Sequence, residues 1–523
     1  MPETTYDVLI SGYGPVGQTA AALLGQAGHR VAAFERHAEP YPYARAGFSD
    51  HEVMRIFQSI GAADQIAQDA IVLRTYEWRS VDGELLMPFS FPDGSSGWES
   101  GRNFFQPNVE RALDGAARAG GAEVHRGTEV VALRPGEDGV ELDLRDGDGT
   151  RTVAGRYLIG ADGASSFVRR AIDAEVVDLG FQYPWIVVDI EPLRPIASIK
   201  PVVVQVCDPT RPTTLTPLGQ RHHRFEFMLM PGEDPAKMSS PEVVWDLLAP
   251  WITPDDAILL RHPVYTFEAK YVQDWRRGPV LLAGDAAHLM PPFLGQGMSS
   301  GVRDVKNLAW KLDLVLRGLA PESILDTYTP ERRPQAKFIV EESVVLGRTM
   351  CITDPDEATA RDQALRDLSA AGGASEEQPL PAPSIPPMDG DLVAEGEPLA
   401  GTLSIQDEVE LDGARGLFDD VIGRGLVLLG RGGDPTAALT ADNRAFIERM
   451  GAVVAHFGGD EAGAFTDVNG AYEAWLAPDD VRAVLLRPDF YVYGTARSLD
   501  DVPGLVDRLQ ARLTGSGTGA GRT

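Results

Sequence analysis

The feature that most restricts what this chain can fold into is a short unit near its N-terminal end. Tyr6 to Ser11 (YDVLIS) is an apolar run that reads as a buried strand, and it leads straight into Gly12-Tyr13-Gly14-Pro15-Val16-Gly17. A helix of small residues follows to Gly28, then a second apolar strand, Arg30 to Phe34, which ends at Glu35. A lone GxGxxG is a weak signal. Here it stands after a strand, opens a helix and precedes a strand that ends in an acid, and that context makes it strong. The first two glycines permit a tight turn and close backbone approach to a pyrophosphate. The third lets helix and strand pack, and the carboxylate of Glu35 can bind a ribose diol. The unit does not separate NAD from FAD.

A second stretch, Leu281 to Leu312, has related chemistry. A buried strand ends at Ala283, followed by Gly284-Asp285 and then a Pro-Pro-Phe-Leu-Gly-Gln-Gly loop. The loop enters a helix whose Val302, Val305, Leu308, Leu312 and Val315 recur at helical spacing. A carboxylate at a strand end beside a Gly-rich helix start suits a polar, partly anionic ligand. A third motif stands between them: the strand Arg156 to Ala161 ends in Asp162-Gly163. Arg45, a helix from His51 to Ile60, and a helix opened by Gln106-Pro107 complete this part.

From Phe181 to Phe267 the texture changes to short alternating runs. Trp185 to Glu191, Val202 to Cys207, Thr213 to Thr216, Arg224 to Met230 and Val264 to Ala269 read as strands of a largely antiparallel sheet. Phe225, Phe227 and Leu229 share one face, Arg224, Glu226 and Met228 the other. Asp354 to Ala400, rich in Asp, Ala, Glu and Pro, reads as a partly extended linker. Beyond it, strand, helix, strand, two strands and a final helix Val502 to Leu513 suggest a thioredoxin-like α/β unit that should be separable from the rest. No cysteine lies in that unit, which removes dithiol chemistry. The net charge of -30 argues against nucleic acid or an anionic membrane surface as partner. The two cysteines, Cys207 and Cys351, form no metal cluster, and the N-terminal segment lacks the basic region of a signal peptide. A cytoplasmic protein without a metal is expected.

The three motifs together, with WIVVDIE at 185–191, CDPTRP at 207–212, RFEFMLMPGE at 224–233 and LRPDFYVYG at 486–494, resemble the single-component (group A) FAD-dependent aromatic hydroxylases. Within that family the chain is similar to 3-(3-hydroxyphenyl)propionate hydroxylase and the aromatic polyketide hydroxylases. The resemblance implies an α/β fold with a Rossmann-like FAD-binding domain in two parts, 1–180 and 273–353. A substrate-binding antiparallel sheet at 181–272 is inserted between them. A linker at 354–400, a thioredoxin-like domain at 401–513 and a disordered tail at 514–523 follow.

It also implies residue roles. Glu35 would bind the adenosine ribose, and Arg36, Arg45 and Gln106 match positions that hold the adenosine ribose, the pyrophosphate and neighbouring parts of FAD. Asp162 and Gly163 would serve both FAD and the nicotinamide reductant, with a plain Asp-Gly turn held by an Asx hydrogen bond as the lesser alternative. Asp285 would contact the ribityl–pyrophosphate region. The backbone from Pro292 through Gly295, Gln296, Gly297 and Met298 to Ser299 would lie under the isoalloxazine ring. Ala44 stands where the family commonly has proline, which predicts a less stiff Arg45 loop.

The implied reaction uses NADH or NADPH, and O2, to hydroxylate a phenol through a flavin C4a-hydroperoxide. A phenol, with a pKa near ~10, benefits from a proton acceptor. His222, His223, Tyr265, Asp189 and His51 are candidates, none singled out by a motif, and His288 belongs to the cofactor motif. Arg211, Arg221 and Arg224 are candidates for an acidic group on the substrate, with salt bridges as the competing use. A homodimer is the candidate assembly. Epoxidation or Baeyer–Villiger oxygenation of a polyketide on the same fold is the nearest alternative. A non-catalytic Rossmann-fold binding protein is the alternative of another class.

Overall fold

Strand Thr5–Ser11 lies at the middle of the first sheet, parallel to Val31–Glu35 on one side and to Gly149–Gly160 on the other. Val8, Leu9 and Ile10 are wholly buried, as parallel strands covered on both faces require. Gly149–Gly160 in turn pairs in parallel with Val280–Leu282. The carboxyl ends of these strands therefore lie side by side, bringing Gly12, Asp162 and Asp285 to one edge, where open α/β sheets bind ligands. Helix Pro15–Gln26 packs on Gln106–Ala119 and Gly297–Leu316. A Cβ on Gly17 would lie 2.1 Å from the Gly12 carbonyl oxygen, so only glycine lets the helix sit this close to its turn. The computed structural model describes residues 5–91, 94–375, 378–381, 384–459 and 462–515.

The second sheet is built around Val176–Pro192, antiparallel to both His222–Met228 and Val264–Val272. Thr213–Leu218 and Val203–Val206 continue it. It is not drawn from one contiguous insert. Thr75–Arg79 joins in parallel to Val203–Val206 and carries Leu85–Ser90 beside it, so a hairpin from the first part of the chain extends the sheet. Asp82-Gly83, a recognised hairpin signal, sits at its turn. The expected alternation holds along His222–Met228. Phe225 and Phe227 pack with Ile186, Val188 and helix Pro241–Leu248 behind the sheet, while Arg224 and Glu226 face forward.

The stretch that composition suggests is an extended linker contains a 17-residue helix, Pro355–Ala371. Its prolines cluster after 379, and the residues before them are good helix formers behind an Asp354 cap, whose Oδ1 accepts from the Asp356 and Glu357 amides at 3.0 Å. Arg361 on this helix donates to the Cys207 carbonyl at 2.6 Å. Leu380–Pro381 then adds an edge strand to Leu85–Ser90. Of the tail expected to be disordered, 516–523 lie outside the described residues, and Thr514 closes the last helix.

In the C-terminal unit Val427–Arg431 is parallel to Val453–Phe457 and antiparallel to Ala483–Leu486, which pairs with Val492–Ala496. This unit is not loosely appended. Arg55 donates to both oxygens of Asp419 at 2.8 Å, and its guanidinium lies 4.2 Å from the Phe490 ring centroid. Arg487 donates to Glu331 at 2.5 Å, and Lys311 reaches the same oxygen at 2.8 Å. Burial alone would raise the Glu331 carboxyl, but Arg487 and Lys311 bring it down to about 2.

Removing one member of such a buried pair costs about 3–5 kcal/mol because the other charge stays buried and uncompensated. Asp419→Ala is therefore expected to lower the denaturation midpoint in urea clearly, with Arg55→Met/Asp419→Leu recovering much of the loss. A single variant as stable as the parent would show that the contact contributes nothing. Truncation after residue 400 is expected to give insoluble protein, against the expectation of a separable unit.

Candidate active site

One cavity of about 1090 Å³ runs from the carboxyl edge of the first sheet to the front face of the second. At its first end Gly12 has φ +93°, and a Cβ there would lie 2.4 Å from the Ala161 carbonyl oxygen. A Cβ on Gly14 would meet nothing nearer than the Arg45 Nη2 at 3.8 Å, so the turn is open toward the cavity. Gly14 caps Pro15–Gln26 without a side-chain bond, leaving first-turn amides available to an anion. Glu35 is fixed by the Tyr13 amide at 3.1 Å and the His37 amide at 2.9 Å. Pro15, Val16 and Arg36 share this wall. Gly17 lies behind it.

The Arg45 loop is held from two sides. Gln106 Oε1 accepts from the amides of Arg45 at 2.7 Å and Ala46 at 2.6 Å. From the sheet, Asp189 accepts from Arg224 Nε at 2.7 Å and from Arg261 Nε at 2.5 Å. Both guanidiniums also donate to the Ala44 carbonyl, and Arg224 Nη1 reaches the Arg45 carbonyl at 2.9 Å. The stiffness that the absent proline would give is supplied by this clamp. Burial by itself pushes the Asp189 carboxyl up; the two arginines outweigh it and hold the carboxyl below the usual range.

The far end is set by Gly284-Asp285. Gly284 has φ +61° and donates its amide to Asp304 at 3.1 Å. His288 Nε2 binds the same Asp304 oxygen at 2.7 Å and Arg332 binds the other at 3.2 Å, so His288 is a tie of the cofactor motif. Asp285 projects into the cavity. Enclosure by protein pushes its pKa up, opposed by His288, Arg45 and Arg169.

Pro292 begins a short 3₁₀ turn that Gly295 closes at φ +67°. Gln296 and Gly297 then open helix Gly297–Leu316, which has no side-chain cap and no acid in its first turn. Met298 lines the cavity, and Ser299 lies behind with its buried hydroxyl unpartnered. These donors suit an anionic or carbonyl-rich ligand edge. Asp162 and Gly163 line the cavity between the two ends. The Asp162 carboxylate also caps helix Phe167–Ala171, accepting from Val168 N at 3.0 Å and from Ser166.

None of the five proton-acceptor candidates lines this cavity. Asp189 is spent on its two arginines. His223 is on the same strand face as Phe225, with burial lowering it to about 4. His222 stacks on Phe105 at 3.8 Å between centroids, and His51 Nδ1 pairs with Ser96 at 3.0 Å. Tyr265 is half-exposed beside Arg261. The residues that do form the front of the sheet are Glu226, Gln205, Thr214, Thr216 and Tyr76, facing Phe89, Phe91, Met290, Phe293 and Leu346. The alternation of Arg224 and Glu226 was the available signal for this face.

Residues 5–343 match the FAD binding domain family, and 401–512 match the HcaD C-terminal domain. A probable NADH-specific resorcinol 4-hydroxylase of Rhodococcus jostii (strain RHA1) is 36% identical over 97% of this chain and 95% of its own. This chain belongs to the FAD-dependent aromatic hydroxylases. A 3-(3-hydroxy-phenyl)propionate/3-hydroxycinnamic acid hydroxylase of Escherichia coli (strain SMS-3-5 / SECEC) is 34% identical to this chain, over 94% of it and 91% of its own. In fold, the flavin-dependent monooxygenase PieE superposes with a TM-score of 0.83 at 23% identity, covering 98% of this chain and all of its own (100%). Aklavinone-11 hydroxylase follows at 0.79 and 24%, covering 98% and 100%. FAD is thus the cofactor of this hydroxylase, and the open glycine turn, fixed Glu35 and uncapped helix start fit it.

Asp285→Ala is expected to lower FAD affinity about tenfold or more, the loss of a charged hydrogen bond, with circular dichroism unchanged. Flavin retention equal to the parent would show that Asp285 makes no cofactor contact. Asp189→Ala is expected to weaken FAD binding at a distance, by releasing Ala44, and to lower thermal stability; fluorescence titration with FAD and a melting curve separate the two effects.

Proposed function

We propose that this hydroxylase uses NADH and O2 to place one hydroxyl on the ring of a small phenol. The observation that carries the reading is the single cavity. One end has the geometry for a dinucleotide, and the other is walled on one side by aromatic and aliphatic residues and on the other by acceptors and hydroxyls. FAD supplies the electron and oxygen-transfer chemistry when bound. Glu35 and Arg36 would bind its adenosine ribose, while Arg45, held by Gln106 and the Asp189 clamp, would bind its pyrophosphate. Asp285 and the amides from Gly295 to Ser299 would receive the polar edge of its ring. Phe89, Phe91 and Phe293 would hold the substrate ring flat and exclude water from the site.

NADH is favoured over NADPH by analogy with the probable NADH-specific Rhodococcus relative. Among the described residues no helix is long and apolar enough to cross a membrane, which is consistent with a cytoplasmic enzyme. A homodimer remains part of the proposal and is read directly by light scattering.

The test is NADH oxidation with a panel of simple phenols, hydroxyphenylpropionates and polycyclic phenols under ¹⁸O2, with products weighed by mass spectrometry. One labelled oxygen per hydroxylated product is expected. A labelled epoxide or lactone would assign the alternative oxygenations, and no label in any product from flavin-loaded protein would overturn the reading.

A further inference from the structure

The front of the second sheet offers a ligand mainly acceptors. Glu226 lies between Thr214 and Val187 on neighbouring strands, buried yet lining the cavity. No hydrogen bond from a described residue reaches its carboxylate. The nearest cation is Arg224, whose Nη1 lies 3.8 Å from Glu226 Oε1 and whose other nitrogens are engaged with Asp189 and the Ala44 carbonyl. Asn103 adds a second acceptor. Its amide nitrogen donates to Thr216 at 3.0 Å and to the Pro217 carbonyl at 2.9 Å, which fixes the amide orientation, and its buried Oδ1 has no partner among the described residues. Two acceptors without donors, both on the cavity wall, ask for O–H groups from a ligand.

The cation inventory points the same way. Arg211 is paired to Glu233 at 2.6 Å and Arg221 to Glu191 at 2.7 Å, and neither lines the cavity. The other arginines on the cavity, Arg36, Arg45, Arg126, Arg145 and Arg170, belong to the first sheet, its loops and helix Phe167–Ala171, not to the second sheet. Among the described residues, the sheet wall therefore offers an anionic substrate no unengaged cation, and it presents a carboxylate instead.

We propose that Glu226 is a catalytic residue that accepts a substrate hydroxyl, and that the site selects neutral, hydroxyl-rich single-ring phenols over aryl carboxylic acids. The inference rests on the monooxygenase reading and deepens it. Proton transfer breaks the phenolic O–H bond; the proton goes to a Glu226 carboxylate oxygen, the electron pair stays on the phenolate oxygen, and the proton returns to that oxygen in the product. Burial raises the Glu226 carboxyl above the usual range, opposed by Arg224, which makes it a better match for a phenol than an exposed carboxylate. A substrate carboxylate would place like charges in one enclosed space.

The test is equilibrium titration of the FAD-loaded protein with resorcinol and with 3-(3-hydroxyphenyl)propionate, read by the perturbation of flavin absorbance, then product formed per NADH. The parent is expected to bind resorcinol about tenfold more tightly than the acid. Glu226→Gln, with FAD retention intact, is expected to weaken resorcinol about tenfold, narrow the gap between the two ligands, and divert NADH oxidation toward hydrogen peroxide. An unchanged resorcinol affinity and coupling in Glu226→Gln would overturn the role of Glu226. Equal or tighter binding of the acid by the parent would overturn the selectivity even if the variant did not fold. If the parent binds neither ligand nor hydroxylates any phenol, the monooxygenase reading itself fails, a different result from either.

Discussion

The carboxylate of Asp189 joins the two halves of the active site. Both arginines that it gathers, Arg224 and Arg261, come from the second sheet, and each also donates from Nη2 to the Ala44 carbonyl of the Arg45 loop. The front of the second sheet and the Arg45 loop, two walls of one cavity, are thus fixed to one another by a single buried anion. A charge in this position is costly to desolvate, and it is tolerated because two guanidiniums donate to its oxygens. Without Asp189 the arginines would repel one another beside the site, and the loop would lose its anchor on the sheet side.

The cofactor half was legible because its chemistry is local. Glycines at fixed spacing, an acid at a strand end and a helix start each have their meaning within a few residues, so Gly12, Glu35, Asp162 and Asp285 stood out in the sequence as one candidate site, and they line one cavity. The substrate half depends on which strands become neighbours. His222 and Asp189 were reasonable bases by residue type, yet strand pairing turned one toward Phe105 and committed the other to arginines. Glu226 was visible on the correct face by alternation, but nothing local marked it as lacking a hydrogen bond. Composition also misdirected: the Asp, Ala and Glu between 354 and 371 suggested a solvated linker, whereas behind the Asp354 cap they form a helix whose Arg361 is buried.

Buried charge is concentrated where separate parts of the chain meet. Arg55 with Asp419, Glu331 with Arg487 and Lys311, and Arg303 with Asp50 and Glu52 all bridge segments distant in sequence. Apolar packing holds surfaces together but tolerates sliding, whereas an ion pair in a low-dielectric interior specifies one alignment. The C-terminal unit is oriented against the cofactor domain by such pairs, as the loop of Arg45 is oriented against the sheet.

The hairpin of Thr75–Arg79 and Leu85–Ser90 has a consequence for anyone who would transplant specificity between relatives. The second sheet, whose front face is the proposed substrate wall, is not a module with one entrance and one exit; it is woven from an early hairpin, the long central insertion and a late edge strand. A chimera exchanging only the central insertion would pair new strands with an old hairpin, mismatching Tyr76 and Trp78 against unfamiliar partners. The transferable unit is a set of separate passages of chain, and inheritance of a new substrate must proceed through all of them together.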